Sequence, residues 1–224
     1  KRLCENYKAG RHQEGSYNVF SGLYSFIKLL NNERISVYYN KCYESDEIIY
    51  TLSKTLDGRK KIISGDKDLF QSLSKDVVID NGNNFIITEE SYKHDYADKF
   101  FEIEPRKLPI FRAIVGDQSD KLKPPVARFP RKLAAKIVKD LEYNGECPTI
   151  DQLSKISINY SDTEKNWVNK LIDAHKLFIV NFEIMKLNVI SESLSCEYKY
   201  PEVEFSSFLK SKIEKLNTLW YNYG

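Results

Sequence analysis

Three short acidic turns hold the residues best able to do chemistry. They are Tyr43-Glu-Ser-Asp-Glu47, Ser64-Gly-Asp-Lys-Asp68 and Gly116-Asp-Gln-Ser-Asp120. Together they offer seven carboxylates: Glu44, Asp46, Glu47, Asp66, Asp68, Asp117 and Asp120. Gathered in one cleft, such groups repel one another and their pKa values rise unless cations are bound. Hard divalent ions prefer oxygen ligands, so Mg²⁺ or Mn²⁺ suits a site free of His and Cys. Two such ions ~4 Å apart activate a water and stabilise the leaving oxygen in phosphodiester hydrolysis. The plainer account is that each acid caps a helix or is solvated, since Asp is a favoured cap residue. For any single turn that account is the better one. For three turns in succession, followed by a basic segment, a shared site is.

The elements around the turns set the fold class. Ile62-Ile63 reads as a strand that stops at Ser64-Gly65, and Leu69, Phe70 and Leu73 follow at helical spacing, giving a short helix to about Leu73. Two acids therefore sit where a strand hands over to a helix, the edge of an α/β sheet where ligands bind. A strand over 35–39 precedes the first acidic turn. The helix after that turn carries Ile48, Ile49, Leu52 and Leu56, with Gly58 as its stop. Val77-Val-Ile79 is a further strand, and Asp80-Asn-Gly-Asn is a hairpin-type turn into Phe85-Ile-Ile87. A helix over about 106–115 ends at Gly116. This alternation implies an α/β fold, with a mostly parallel central sheet and helices on both faces. Further helices are expected over 16–30, from Pro130 to about Leu141, over 149–156, from a Ser161/Glu164 capping box to about Met185, and near 205–221.

Composition excludes several classes. The chain has 224 residues, 42% of them hydrophobic, enough for one large domain or one with a smaller appendage. No apolar run approaches the ~18 residues of a membrane span. Four isolated cysteines and three scattered histidines suggest no zinc site, disulfide framework or triad, and place the chain in a reducing compartment. The net charge is +2, but the bases are segregated: Lys121, Lys123, Arg128, Arg131, Lys132, Lys136 and Lys139 crowd one region just after the third acidic turn.

The ordered set of motifs resembles the phage-type 5′→3′ exonuclease and flap endonuclease family. That family takes in the phage RNase H enzymes and the 5′-nuclease domain of bacterial polymerase I. Tyr7-Lys-Ala-Gly-Arg11 resembles the Tyr-Lys-x-x-Arg motif of its helical arch. The three acidic turns resemble its Glu-Ala-Asp-Asp, Ser-x-Asp-x-Asp and Gly-Asp-x-x-Asp motifs, the last preceding a helix-hairpin-helix. The resemblance covers about residues 1–140 well and the C-terminal helices loosely. It implies a PIN-like nuclease core over 1–120, with an arch over about 1–34, and a helical DNA-binding part over 121–224. Glu44 and Asp46 would hold one Mg²⁺, with Glu47 nearby. Asp66, Asp68, Asp117 and Asp120 would hold a second ion or its waters. Lys8 and Arg11 would act on the scissile phosphate, helped by Arg2, and Tyr7 would stack on a base. Lys121, Lys123, Arg128, Arg131 and Lys132 would grip duplex phosphates.

The expected activity is therefore Mg²⁺-dependent removal of 5′ flaps or RNA primers during DNA replication. The expected substrate is DNA with a 5′ flap or an RNA–DNA duplex. A monomer is implied, phage-encoded and in the host cytoplasm; a clamp or single-strand-binding protein is left open as a partner. Two departures stand out. The family's N-terminal strand with an Asp, and a second Asp before the arch, have no counterpart after Lys1, so upstream sequence is expected and the metal site of this chain is incomplete without it. The hairpin's Gly-Ile-Gly corresponds to Arg128-Phe-Pro130, where proline offers no N–H, so Arg128 takes over phosphate binding with its side chain. Three other classes fit parts of the pattern. A PIN-like endoribonuclease shares the acidic sheet edge; a catalytically incomplete nucleic-acid-binding module and a protein-interaction domain with an acidic surface share less.

Overall fold

The computed structural model describes Tyr38, residues 43–82 and residues 85–191. The arch over 1–34, the strand over 35–39 apart from Tyr38, and the helix near 205–221 lie outside the described residues. All the elements below belong to one compact unit, which takes in Lys41–Ser193.

Helix α1 (Ser45–Thr55) starts where the sequence places it, with Glu44 at its N-cap. The Glu47 carboxylate accepts the Glu44 N–H at 3.1 Å, which satisfies one of the N–H groups left bare at the helix start. The helix ends at Leu56, whose backbone is extended, two residues before the predicted stop at Gly58. Strand β1 (Lys60–Ile63) runs parallel to β2 (Val77–Asp80), and β2 runs antiparallel to β3 (Ile86–Ile87). The described sheet is thus small and mixed, in the order β1-β2-β3. The hairpin turn explains the mixture. Asp80 Oδ1 accepts the Gly82 N–H at 3.0 Å, and a turn this short can only return the chain antiparallel.

After β1 the chain forms a 3₁₀ turn (Lys67–Ser72) rather than the α-helix its spacing suggested. Leu69, Phe70, Gln71 and Ser72 are all buried. Four consecutive buried residues cannot share one stripe of an α-helix, and a tight 3₁₀ wedge accommodates them. Helices α2 (Glu89–Asp95) and α3 (Ala97–Phe100) were not anticipated. Their signal was present: Thr88 and Ser91 form a capping box, and Tyr92, Tyr96 and Phe100 recur every four residues. These three rings surround Phe70, with centroids 5.3, 4.8 and 6.2 Å away in edge-on geometry. The aromatic cluster anchors the 3₁₀ turn and, with it, the acids at the end of β1.

A 3₁₀ turn (Pro105–Lys107) leads into α4 (Leu108–Val115), which Gly116 ends as expected. Residues 123–130 are extended or turns, so no helix immediately precedes Arg128; α5 (Arg131–Asp140) begins after Pro130. The buried Lys107 ammonium donates to Leu141 O at 2.8 Å and Lys139 O at 3.4 Å. It thereby caps the C-terminal end of α5, where bare carbonyls favour a cation. Helix α6 (Ile150–Ser157) follows. The single long helix expected up to Met185 is two, α7 (Asp162–Asp173) and α8 (His175–Met185), broken at Ala174. Val168, Leu171, Phe178, Phe182 and Met185 keep helical spacing across the break, so periodicity could not reveal it. A long-range contact marks the break: His175 Nε2 lies 2.8 Å from Pro148 O.

The core runs through Ile79, Ile87, Tyr92, Ile110, Phe111, Ile114, Phe178 and Phe182, all essentially fully buried. Each contributes roughly 1.5–3 kcal/mol by leaving water. Helix α4 packs along α8, so the turn after α4 rests on a rigid base. No described helix is long and apolar enough to cross a membrane.

Candidate metal and nucleic-acid site

The end of β1 and the end of α4 open onto one cleft of about 620 Å³. Its lining includes Asp46, Asp66, Asp68, Asp117 and Asp120. Five of the seven predicted carboxylates are therefore brought together. Glu44 and Glu47 are not among the lining residues, and Glu47 is engaged in capping α1. Basic side chains share the cleft: Lys67, Lys99, Arg112 and Arg131.

Local chemistry explains how each acid is placed. Asp66 caps the 3₁₀ turn, accepting the Asp68 N–H at 2.9 Å. Its own N–H donates to Ser64 Oγ at 3.1 Å. The plainer account of Asp66 as a cap thus also holds, and the cap coexists with a place in the cleft. Asp46 Oδ1 accepts the Glu47 N–H at 2.9 Å. The third turn is built on Gly116, at φ 75° and ψ 174°, a region essentially restricted to glycine. A Cβ there would stand 2.6 Å from Leu122 O. Asp117 and Leu122 exchange backbone hydrogen bonds of 2.9 and 2.7 Å across the turn. The turn presents Asp117 to the cleft and buries Asp120, which is 4% exposed.

Arg112 joins two of the turns, and sequence reasoning missed it. It lies on α4 one turn before Gly116, and its Nη1 donates to Asp117 Oδ2 at 2.9 Å and also to Asp68 Oδ1. The Phe100 ring backs the guanidinium, 5.8 Å from centroid to Cζ. Burial pushes the Asp68 carboxyl up to about 6; Arg112 opposes this, while Asp66, Asp120 and Asp117 add to it. Burial acts on Asp117 in the same sense but is outweighed. The Ser119 hydroxyl, Arg112 and the N–H groups of Ser119 and Asp120 hold Asp117 below the usual carboxylate range.

A second residue missed from sequence supports the turn from behind. Asn181, buried on α8, donates from Nδ2 to Ala113 O at 3.1 Å and to Lys123 O at 2.9 Å. It ties the chain just before the acidic turn to the chain just after it. Gln71 plays a similar part, donating to Met185 O at 2.9 Å and accepting from Leu187 N at 3.1 Å.

The predicted basic residues divide by position. Arg131 lines the cleft and lies over the Phe111 ring at 5.1 Å. Lys121, Lys123, Arg128 and Lys132 are exposed along the segment from the third turn into α5. Arg128 has φ 58°, a conformation that favours glycine. Arg2, Tyr7, Lys8 and Arg11 lie outside the described residues.

The donor set fits a hard divalent cation in kind, since every acid in the cleft offers only oxygen. Among the described residues, no three acidic, His or Cys side chains form a group that could hold a metal ion. Asp68 and Asp117 instead share Arg112.

Comparison with known proteins places the first part of the chain. Residues 1–99 match the 5'-3' exonuclease, N-terminal resolvase-like domain. That match takes in the first two of the three acidic turns. The 5'-3' exonuclease of Mycoplasmopsis pulmonis is 26% identical over 97% of this chain and 76% of its own length. The DNA polymerase I of Bacillus caldotenax is 30% identical over 60% of this chain, which corresponds to 16% of the polymerase. A bacteriophage T5 flap endonuclease, solved as a pseudo-enzyme-product complex with DNA and metal ions, superposes with a TM-score of 0.57. That alignment has 14% identity and covers 83% of this chain and 68% of the T5 chain. The chain thus shares its fold with that T5 protein, and its acidic turns meet at one cleft.

Proposed function

We propose that this chain is a structure-selective 5′ nuclease that hydrolyses phosphodiesters with divalent cations, removing 5′ flaps or RNA primers during replication. The observation that carries this reading is the convergence of all three acidic turns on one cleft edged with basic side chains. It gains support from the match to the 5'-3' exonuclease domain and from likeness in fold to a flap endonuclease that binds DNA and metal ions.

Asp46 with Glu44, and Asp66, Asp68, Asp117 and Asp120 as a second group, are the side chains that would hold two ions, Mg²⁺ or Mn²⁺. When bound, such a pair supplies an activated water and charge neutralisation at the leaving oxygen. Glu47, engaged at the start of α1, orients Glu44 through its backbone. Arg131 and Lys99 face the cleft and counter the charge of an incoming phosphate. Lys121, Lys123, Arg128 and Lys132 grip the duplex without reading its sequence. Lys8 and Arg11, with Arg2 and Tyr7, belong to the segment that would admit a single-stranded 5′ end.

The test is a matched set of substrates labelled at the 5′ end: a 5′-flap duplex, a 3′-flap duplex, an RNA-primed duplex and single-stranded RNA. Cutting confined to the 5′-flap and RNA-primed duplexes is expected. Equal cutting of single-stranded RNA would favour a PIN-like endoribonuclease instead. Tight binding of the 5′ flap without turnover would leave only a nucleic-acid-binding module.

A further inference from the structure

We propose that Arg112 is a resident counter-ion that ties two acidic turns together and competes with divalent cations for Asp68 and Asp117. The proposal rests on the divalent-ion reading of the cleft. Arg112 is 11% exposed at its side chain, and Asp68 and Asp117 are 17% and 15% exposed at theirs. One guanidinium nitrogen serves both carboxylates, which come from turns 49 residues apart. The Phe100 ring covers the guanidinium, and Phe100 belongs to the aromatic cluster around Phe70, which fixes the Asp68 turn. The arrangement is therefore built into the core at both ends rather than draped over the surface.

The consequence is an exchange of partners. A divalent ion needs the carboxylate oxygens that Arg112 now engages, and like charges exclude the two cations from one position. The apparent affinity for the ion falls by the fraction of molecules in which Arg112 holds the pair. In exchange, the chain keeps its acidic turns in register while ion-free, because removing one partner of a buried pair leaves the others uncompensated. A lysine in place of Arg112 lacks the planar fork and competes less well.

The experiment uses Mg²⁺ alone, without nucleic acid, on the whole chain and its Arg112→Gln and Arg112→Lys variants. Calorimetry reads Mg²⁺ affinity, and thermal unfolding is followed in EDTA and in Mg²⁺. Arg112→Gln is expected to melt lower in EDTA and to bind Mg²⁺ about tenfold more tightly, the factor equivalent to ~1.4 kcal/mol of competing ion pair. Arg112→Lys is expected to fall between it and the parent, and it decides the matter alone if Arg112→Gln fails to fold. Weaker or unchanged Mg²⁺ binding in the variants, with the parent binding normally, overturns the proposal and leaves the divalent-ion reading standing. No Mg²⁺ response from any of the three proteins overturns both.

Discussion

Asp68 and Asp117 share one arginine yet shift in opposite directions. Asp68 is raised to about 6 because burial and three neighbouring carboxylates outweigh Arg112. Asp117 is lowered because Ser119 adds hydrogen bonds that Asp68 lacks. A carboxyl raised in the folded state binds its proton more tightly there than in the unfolded chain. Stability in EDTA should therefore fall as pH rises through the window between the ordinary value of 3.8 and about 6. The loss expected from Asp68 is on the order of 2–3 kcal/mol. Asp117 has the opposite sign: its stabilising contribution is present above its ordinary value and is lost on further acidification. Urea unfolding at pH 4, 5, 6 and 7 should show this slope in the parent and a flatter one in Asp68→Asn. Equal slopes would contradict the environment described for Asp68.

At this scale the sequence was half legible. Asp46, Asp66, Asp68, Asp117 and Asp120 could be picked out because acids beside turn residues repeat three times. Arg112 could not, because a lone base between Phe111 and Ala113 on an apolar helix reads as its solvent side. Asn181 on α8 was hidden for the same reason.

The third acidic turn depends on its glycine more than any other element of the site. Gly116 combines a backbone region closed to other residues with a close approach to Leu122 O. Gly116→Ala should cost roughly 2–4 kcal/mol, from strain and overlap together. Gly58 makes the control: it has φ 77°, but a Cβ there would meet nothing within 4 Å. Gly58→Ala should cost about 1–2 kcal/mol, the left-handed penalty alone. Urea midpoints of the two variants check this, and equal losses would show that the turn tolerates a side chain. Among the elements, the hairpin after β2 and the helix after Glu44 were legible because turn and cap chemistry is local. The break at Ala174 and the 3₁₀ turn after β1 were not, because distant contacts and burial determine them.

Across the whole described molecule, residues far apart in sequence hold the site in place. Gln71 clamps residues 185–187, Asn181 brackets the third turn, and Thr51 Oγ1 accepts the Ile190 N–H at 2.9 Å. The helices after residue 130 thus brace the acidic cleft as well as carrying basic side chains. Pairings separated by 114 to 139 residues leave no periodic trace in a single sequence. Order and spacing of motifs, by contrast, survive in the sequence, which is why the acidic turns were legible where their bracing was not. The central claim is that this cleft works as a divalent-ion-dependent 5′ nuclease site. The most direct test is cleavage of a labelled 5′-flap duplex in Mg²⁺ and in EDTA, by a parent that carries the upstream sequence and by its Asp66→Ala, Asp117→Ala double variant. The account predicts cutting by the parent in Mg²⁺, with EDTA or the double substitution lowering the rate by more than about a hundredfold. Undiminished cutting in EDTA or by the double variant would contradict it.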